Sequence, residues 1–213
     1  MSEINKRLLT SFFLLFILFL SIKNVFILSF FLLFVFYEIF YEAYLILYKI
    51  IKKKFHLFLS LSFVLFYLTI LILFVWFLSL KNNNQETLFL LLIINVCVFS
   101  DIGGFCFGKI FKGKKLTQIS PNKTYSGMYG SFIFSLISSI ILFKDFLPIQ
   151  KLIFFSILVS AASQFGDLLI SYMKRISNIK DTGVILPGHG GLLDRFDGLI
   201  IAIPFGYLLM KFL

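Results

Sequence analysis

The residues best suited to chemistry lie between Gly166 and Asp197, in the run GDLLISYMKRISNIKDTGVILPGHGGLLDRFD. These 32 residues hold four of the ten acids, four of the twenty Lys and Arg, and one of the two His. Asp167 and Asp194 stand 27 positions apart with a polar, Gly-rich segment between them. Paired Asp without neighbouring His or Cys suit a hard, oxygen-seeking ion such as Mg²⁺, which binds through one or two carboxylates and completes its shell with water and substrate phosphates. The competing reading is a pair of structural Asp bonded to Arg195, Lys174 or helix N-termini. On a helix continuing from Asp167, Ser171, Lys174 and Arg175 fall on or near one face. A basic face beside a metal-binding carboxylate suits phosphoryl transfer, which depends mostly on positioning and charge stabilisation. The run Leu186-Pro187-Gly188-His189-Gly190-Gly191 interrupts any helix. Its glycines allow backbone amides to approach a ligand, and free N–H groups ahead of the next helix would form an anion site. His189, flanked by Gly and followed by Asp194-Arg195-Phe196-Asp197, reads as a phosphate donor or acid-base group. His56, beside a Lys run, reads as interfacial.

The elements that must position these groups are set by composition. The chain has 213 residues, 60% of them hydrophobic and only 14% charged, more apolar than a soluble fold can hide, so most of it has lipid as solvent. Helices are the expected way to satisfy the backbone of such unalternated apolar runs. A span needs roughly 17 to 25 residues, which places spans near 8–22, 24–48, 57–80, 87–108, 127–143, 151–173 and 192–213, the first short enough to be a half-span. The opening MSEINKRLL resembles a secretory signal, but further spans follow directly and no small-x-small cleavage site is present, so it reads as the first membrane helix. The expected fold is an all-α transmembrane bundle of about seven spans with a cytoplasmic N-terminus. Residues 1–86 form N-terminal helices and 87–213 a catalytic region. With that orientation fourteen Lys and Arg face inward, in clusters at 6–7, 49–54, 109–123 and 174–180, and five face outward, as the positive-inside rule requires.

That orientation brings Asp101, Asp167, Asp194 and Asp197 to one cytoplasmic face. Ionisable groups in spans are costly and mark function. Glu38 and Glu42, one turn apart late in the second span, read as interfacial residues pairing with nearby Lys. The loop 109–126, KIFKGKKLTQISPNKTYS, is either a headgroup-binding basic cluster or a phosphate-holding loop using Ser120, Lys123 and Thr124. Cys97 and Cys106 match no metal or redox spacing and read as small buried side chains. The net charge of +10 lacks any soluble basic platform, so nucleic acid is excluded as a partner.

The run Ser171-x-x-Lys174-Arg175, Lys180-Asp181, Pro187-x-His189-Gly190-Gly191-x-x-Asp194-Arg195-x-Asp197 closely resembles the defining motif of the phosphatidate cytidylyltransferases, or CDP-diacylglycerol synthases. Asp101 with Gly108-Lys109, then Ser120-Pro121-x-Lys123-Thr124-x-x-Gly127, resembles the family's preceding block. Ser126 stands where the family usually carries Glu, and the chain is shorter than most members. The resemblance implies transfer of the cytidylyl group of CTP to phosphatidic acid by a homodimer in the inner (plasma) membrane, with its active site facing the cytoplasm. It implies Mg²⁺ on Asp167 and Asp194, with a second cation, K⁺ or another Mg²⁺, bridging. Lys174, Arg175, Lys180, Asp181, His189, Arg195 and Asp197 form the implied catalytic set. Ser171, Gly190, Gly191, Asp101, Ser120, Lys123 and Thr124 form the implied binding set. The nearest rival is a CTP-dependent lipid kinase or CDP-lipid synthase acting on a polyprenol or ether lipid. An ion-coupled transporter is a different class, but the acids gather at one face and no inverted repeat is visible. A purely structural membrane protein would not need the Gly-rich loop.

Overall fold

The computed structural model describes residues 20, 24–80, 84–117, 120, 123–183, 185 and 190–212. Six helices run through them: α1 Val25–Ile50, α2 Lys54–Leu80, α3 Asn84–Phe111, α4 Tyr125–Phe143, α5 Ile149–Ile176 and α6 Leu193–Met210. The described residues are thus all-α, and each helix matches an expected span to within a few residues. The first expected span, near 8–22, lies outside the described residues except for Leu20. Five helices, α1 to α5, are long and apolar enough to cross a membrane, which makes this a multi-pass membrane protein. α6 is not among them. Its 18 residues rise about 27 Å, a little short of a hydrocarbon core of about 30 Å, and its first turns carry Asp194, Arg195 and Asp197.

Local sequence explains where the helices start and stop. Asn24 caps α1 by accepting a bond from the Phe26 amide at 2.9 Å, and Thr124 caps α4 by accepting from the Gly127 amide at 3.1 Å, the short polar side chains that such positions favour. Beyond α3 the chain turns left-handed at Lys112 and Gly113 (φ 51° and 98°). Beyond α5 it does so at Asn178 (φ 55°), one of the few non-Gly residues that enter this region readily.

The chain divides into two compact units, Met1–Asn83 with Met173–Phe196, and Asn84–Tyr172 with Asp197–Leu213. In the first, α1 buries Leu32, Val35, Ile39, Ala43 and Ile46, a stripe at helical spacing, and pairs with α2, where the Trp76 indole donates to Ser29 Oγ at 2.9 Å. The opposite side of α1 leaves Tyr37, Tyr41 and Tyr48 exposed. In the second unit, α3 and α4 approach closely because both present small residues. A Cβ on Gly130 would lie 2.6 Å from the Gly103 carbonyl oxygen, and Ser131 Oγ donates to the Ser100 carbonyl at 2.7 Å. Small residues with interhelical hydrogen bonds are the means by which helices associate in lipid, where burial of apolar surface supplies no drive. The same device joins α5: the hydroxyls of Ser100 and Ser160 are 2.9 Å apart and both are buried. Phe30, Phe58 and Phe63, about 70% exposed or more, are outward-facing side chains for which lipid is the solvent.

Candidate functional site

In the second unit acids from three helices lie near one another, and one of them, Asp167, pairs with a lysine. Gly166 on α5 packs against α6, where a Cβ would lie 2.5 Å from the Asp197 carbonyl oxygen. That close approach sets Asp167 beside Asp197. The two carboxyl groups are close enough to interact, and Asp101 from α3 lies near Asp197 as well. Lys123 forms an ion pair with Asp167 Oδ2, and Ser171 Oγ donates to Asp167 Oδ1 at 3.3 Å. Lys123 is held by a short hairpin: the Leu116 amide donates to its carbonyl at 2.8 Å, its own amide donates to the Ser120 carbonyl at 3.0 Å, and Tyr125 N donates to the Lys114 carbonyl at 3.1 Å. Ser126 fastens the base of this hairpin, donating to the Lys112 carbonyl at 2.7 Å and sharing a hydrogen bond with Thr124. Lys123, Ser120 and Thr124 thus have defined structural places. Thr124 works as a helix cap, and Ser120 closes the turn into Lys123.

In the first unit the centre is Asp194. It accepts from Lys174 Nζ at 2.6 Å, from the Thr182 amide at 2.9 Å and from the Gly191 amide at 3.2 Å. Lys174 and Asp194 expose only 13% and 9% of their side chains, so the pair is screened far less than a surface salt bridge. Gly190 turns at φ 84°, the left-handed region where a side chain would be strained. Arg175, Lys180, Asp181 and Arg195 are exposed. His189 lies outside the described residues, as do Leu186, Pro187 and Gly188.

Two expectations are corrected here. The amides ahead of the last helix were expected to be free for an anion, and the three nearest it, those of Gly191, Leu192 and Leu193, are not. Gly191 N donates to Asp194, while Leu192 N and Leu193 N donate to Glu42 Oε1 and Oε2 at 2.9 and 2.8 Å. The N-terminus of α6 therefore already holds an anion, supplied by the chain itself. The second correction follows: Glu42 is not an interfacial residue paired with Lys. It is 1% exposed and its third bond comes from Thr182 Oγ1 at 2.6 Å. Sequence reasoning undervalued it because its partners are backbone amides 150 positions away. The available signal was a Glu in the middle of an apolar helix, where an ionisable group is expensive unless fully bonded.

The donor chemistry can be tested against a cation. Among the described residues no three His, Cys, Asp or Glu side chains are grouped to hold a metal by themselves. Asp167 and Asp197 form a pair of hard oxygen donors, and Asp194 has three of its roughly four lone-pair positions occupied. One or two carboxylates with water and phosphate completing the shell is how Mg²⁺ binds, so the residues present fit that ion.

A family model described as the cytidylyltransferase family matches residues 2–213. The chain is 38% identical over 140 residues to the phosphatidate cytidylyltransferase of Bacillus subtilis, covering 63% of this chain and 52% of that protein. It is 40% identical over 135 residues to that of Staphylococcus haemolyticus, covering 62% and 51%, and 38% identical over 140 residues to that of Rickettsia felis, covering 60% of each. The matched stretch spans about half the length of the first two relatives. With a match to the family model that runs almost from end to end, the chain belongs to the cytidylyltransferase family.

Proposed function

We propose that this chain transfers the cytidylyl group of CTP to phosphatidic acid, forming CDP-diacylglycerol and pyrophosphate. It acts as a homodimer of seven-span protomers in the inner membrane, with its chemistry at the cytoplasmic face. The observation that carries the reading is the charged, Gly-rich motif from Ser171 to Asp197 in a member of this family, whose relatives are named for the same activity. Both substrates are polyanions, so cations must offset their repulsion before they can react. Lys174, Arg175, Lys180 and His189 bind the phosphates of CTP and phosphatidate. A phosphate oxygen of phosphatidate attacks the α-phosphorus of CTP, and the bond from that phosphorus to the bridging oxygen breaks. Pyrophosphate leaves with the electron pair, and no protein nucleophile intervenes.

Asp167 in the second unit and Asp194 in the first would be the carboxylate ligands for Mg²⁺ and a second cation, K⁺ or Mg²⁺, which would supply charge neutralisation for the triphosphate. Lys123 pairs with Asp167 and orients it. Lys174 uses one of its three N–H donors on Asp194 and has two more for phosphate. The deciding experiment supplies α-labelled CTP and Mg²⁺ to the purified protein in detergent, with phosphatidic acid, a polyprenol and an ether lipid as separate acceptors. Labelled CDP-diacylglycerol with phosphatidic acid is expected. Intact CTP in the presence of folded protein refutes the reading, and transfer only to the other lipids favours the rival. Cysteine labelling should find 109–126 on the cytoplasmic side, and an outward location would overturn the orientation.

A further inference from the structure

We propose that Glu42 is a positioning residue for the motif: a carboxylate from the first described helix that clamps the turn carrying Asp194. The inference rests on the cytidylyltransferase reading but concerns a residue outside the Ser171–Asp197 run. Glu42 is almost completely buried and spends both oxygens on that turn, accepting from Thr182 Oγ1 and from the amides of Leu192 and Leu193 at 2.6–2.9 Å. Bonds from neutral donors to a buried carboxylate are the short, strong kind, and negative charge at a helix N-terminus is further favoured by the dipole. Thr182 passes the constraint on: its hydroxyl is held by Glu42, and its amide donates to Asp194 Oδ2 at 2.9 Å. Asp194 in turn fixes Lys174 at 2.6 Å. The chain Glu42, Thr182, Asp194, Lys174 is thus bonded at every step.

The glycines fit the same account. A Cβ on Gly183 would lie 2.5 Å from Glu42 Oε1, and one on Gly191 would lie 2.5 Å from Glu42 Oε2. Their missing side chains make room for the Glu42 carboxylate. Because that carboxylate occupies the Leu192 and Leu193 amides, the substrate phosphates have to be held by side-chain cations and not by these N–H groups.

The test combines two readouts on the full chain in detergent. Glu42→Gln keeps the shape but offers one acceptor oxygen and an amide that opposes an N–H donor. Thr182→Val removes one hydroxyl, and Thr182→Ser restores it. Amide hydrogen exchange over 182–193 should quicken about tenfold or more in Glu42→Gln and Thr182→Val. The kcat should fall about 10- to 100-fold with KM for CTP held within about threefold, as for small misplacements of reacting groups, and Thr182→Ser should recover both. Unchanged exchange in both variants overturns the clamp. Quickened exchange with unaltered kcat overturns its role in positioning. If Glu42→Gln does not fold, the Thr182 pair decides alone. If the wild-type protein makes no CDP-diacylglycerol, the functional reading fails, and exchange still decides the clamp.

Discussion

A double-mutant cycle on Lys174 and Asp194 tests whether the first unit's centre is one energetic object. Asp194→Asn keeps the size of the side chain but can satisfy only part of its surroundings. With its oxygen towards the Thr182 and Gly191 amides, its NH₂ faces the Lys174 ammonium, which loses its counter-charge in a site only 13% exposed. With its oxygen towards Lys174, the NH₂ opposes two backbone donors. Either arrangement forfeits bonds to a charged group or leaves buried donors unpaired, at about 2–4 kcal/mol. In a chain of this size each kcal/mol moves Tm by about 2–4 °C, so a fall of about 4–16 °C is expected, together with loss of turnover. Lys174→Met leaves Asp194 its two amide bonds and should cost about 1–3 kcal/mol. In the double variant the unpaired ammonium is gone, so its loss should be smaller than the sum by about 1–2 kcal/mol. Circular dichroism melts of all four proteins in one detergent measure this directly. Additivity within about 0.5 kcal/mol would refute the claim that the pair acts as a unit.

The second unit supplies three further tests. Lys123→Met removes the cation from Asp167 and should lower kcat/KM for CTP about tenfold or more, the size of effect that electrostatic stabilisers carry; activity within twofold of wild type would separate the hairpin from the chemistry. Gly166→Ala puts a methyl group 2.5 Å from the Asp197 carbonyl oxygen, forcing α5 and α6 apart. Overpacking of this kind should cost about 1–3 kcal/mol, read as a lower melting temperature, and an unchanged melt would show that the contact yields freely. Ser126→Ala removes the bond to the Lys112 carbonyl at about 1 kcal/mol. It should quicken hydrogen exchange across 112–124, and unchanged exchange would show that the hairpin does not depend on this hydroxyl.

Most of the fold was legible because lipid imposes one rule on every span: bury the backbone bonds in a helix. The apolar runs therefore announced α1 to α5 to within a few residues, with the caps Asn24 and Thr124 fixing two of the starts. The pairing of acids was less legible. Helical spacing placed Ser171 one turn beyond Asp167, and their 3.3 Å bond follows from it. Spacing says nothing about Asp197, whose approach to Asp167 depends on Gly166 lacking a side chain at the α5–α6 contact. A glycine inside an apolar helix gives no hint of which backbone it admits.

The turn at Gly190 and Gly191 shows why motif chemistry alone misleads about mechanism. Glycines followed by a helix are a sound signal for an anion at the helix N-terminus, since unsatisfied amides and the dipole both favour negative charge. The signal does not specify whose anion it is. Here Glu42 provides it from α1, and a second carboxylate, Asp194, takes the Gly191 amide. An internal carboxylate competes with a phosphate for the same donors, and it is covalently tethered, so it pays less entropy to stay. The turn is therefore bonded within the chain at Thr182, Gly191, Leu192 and Leu193. On the proposed function, positive charge for the substrate would come from side chains such as Lys174, which the same network holds through Asp194. If the proposed function holds, preorganisation of this kind would leave phosphate recognition to cations while the glycine turn supplies the frame that holds them.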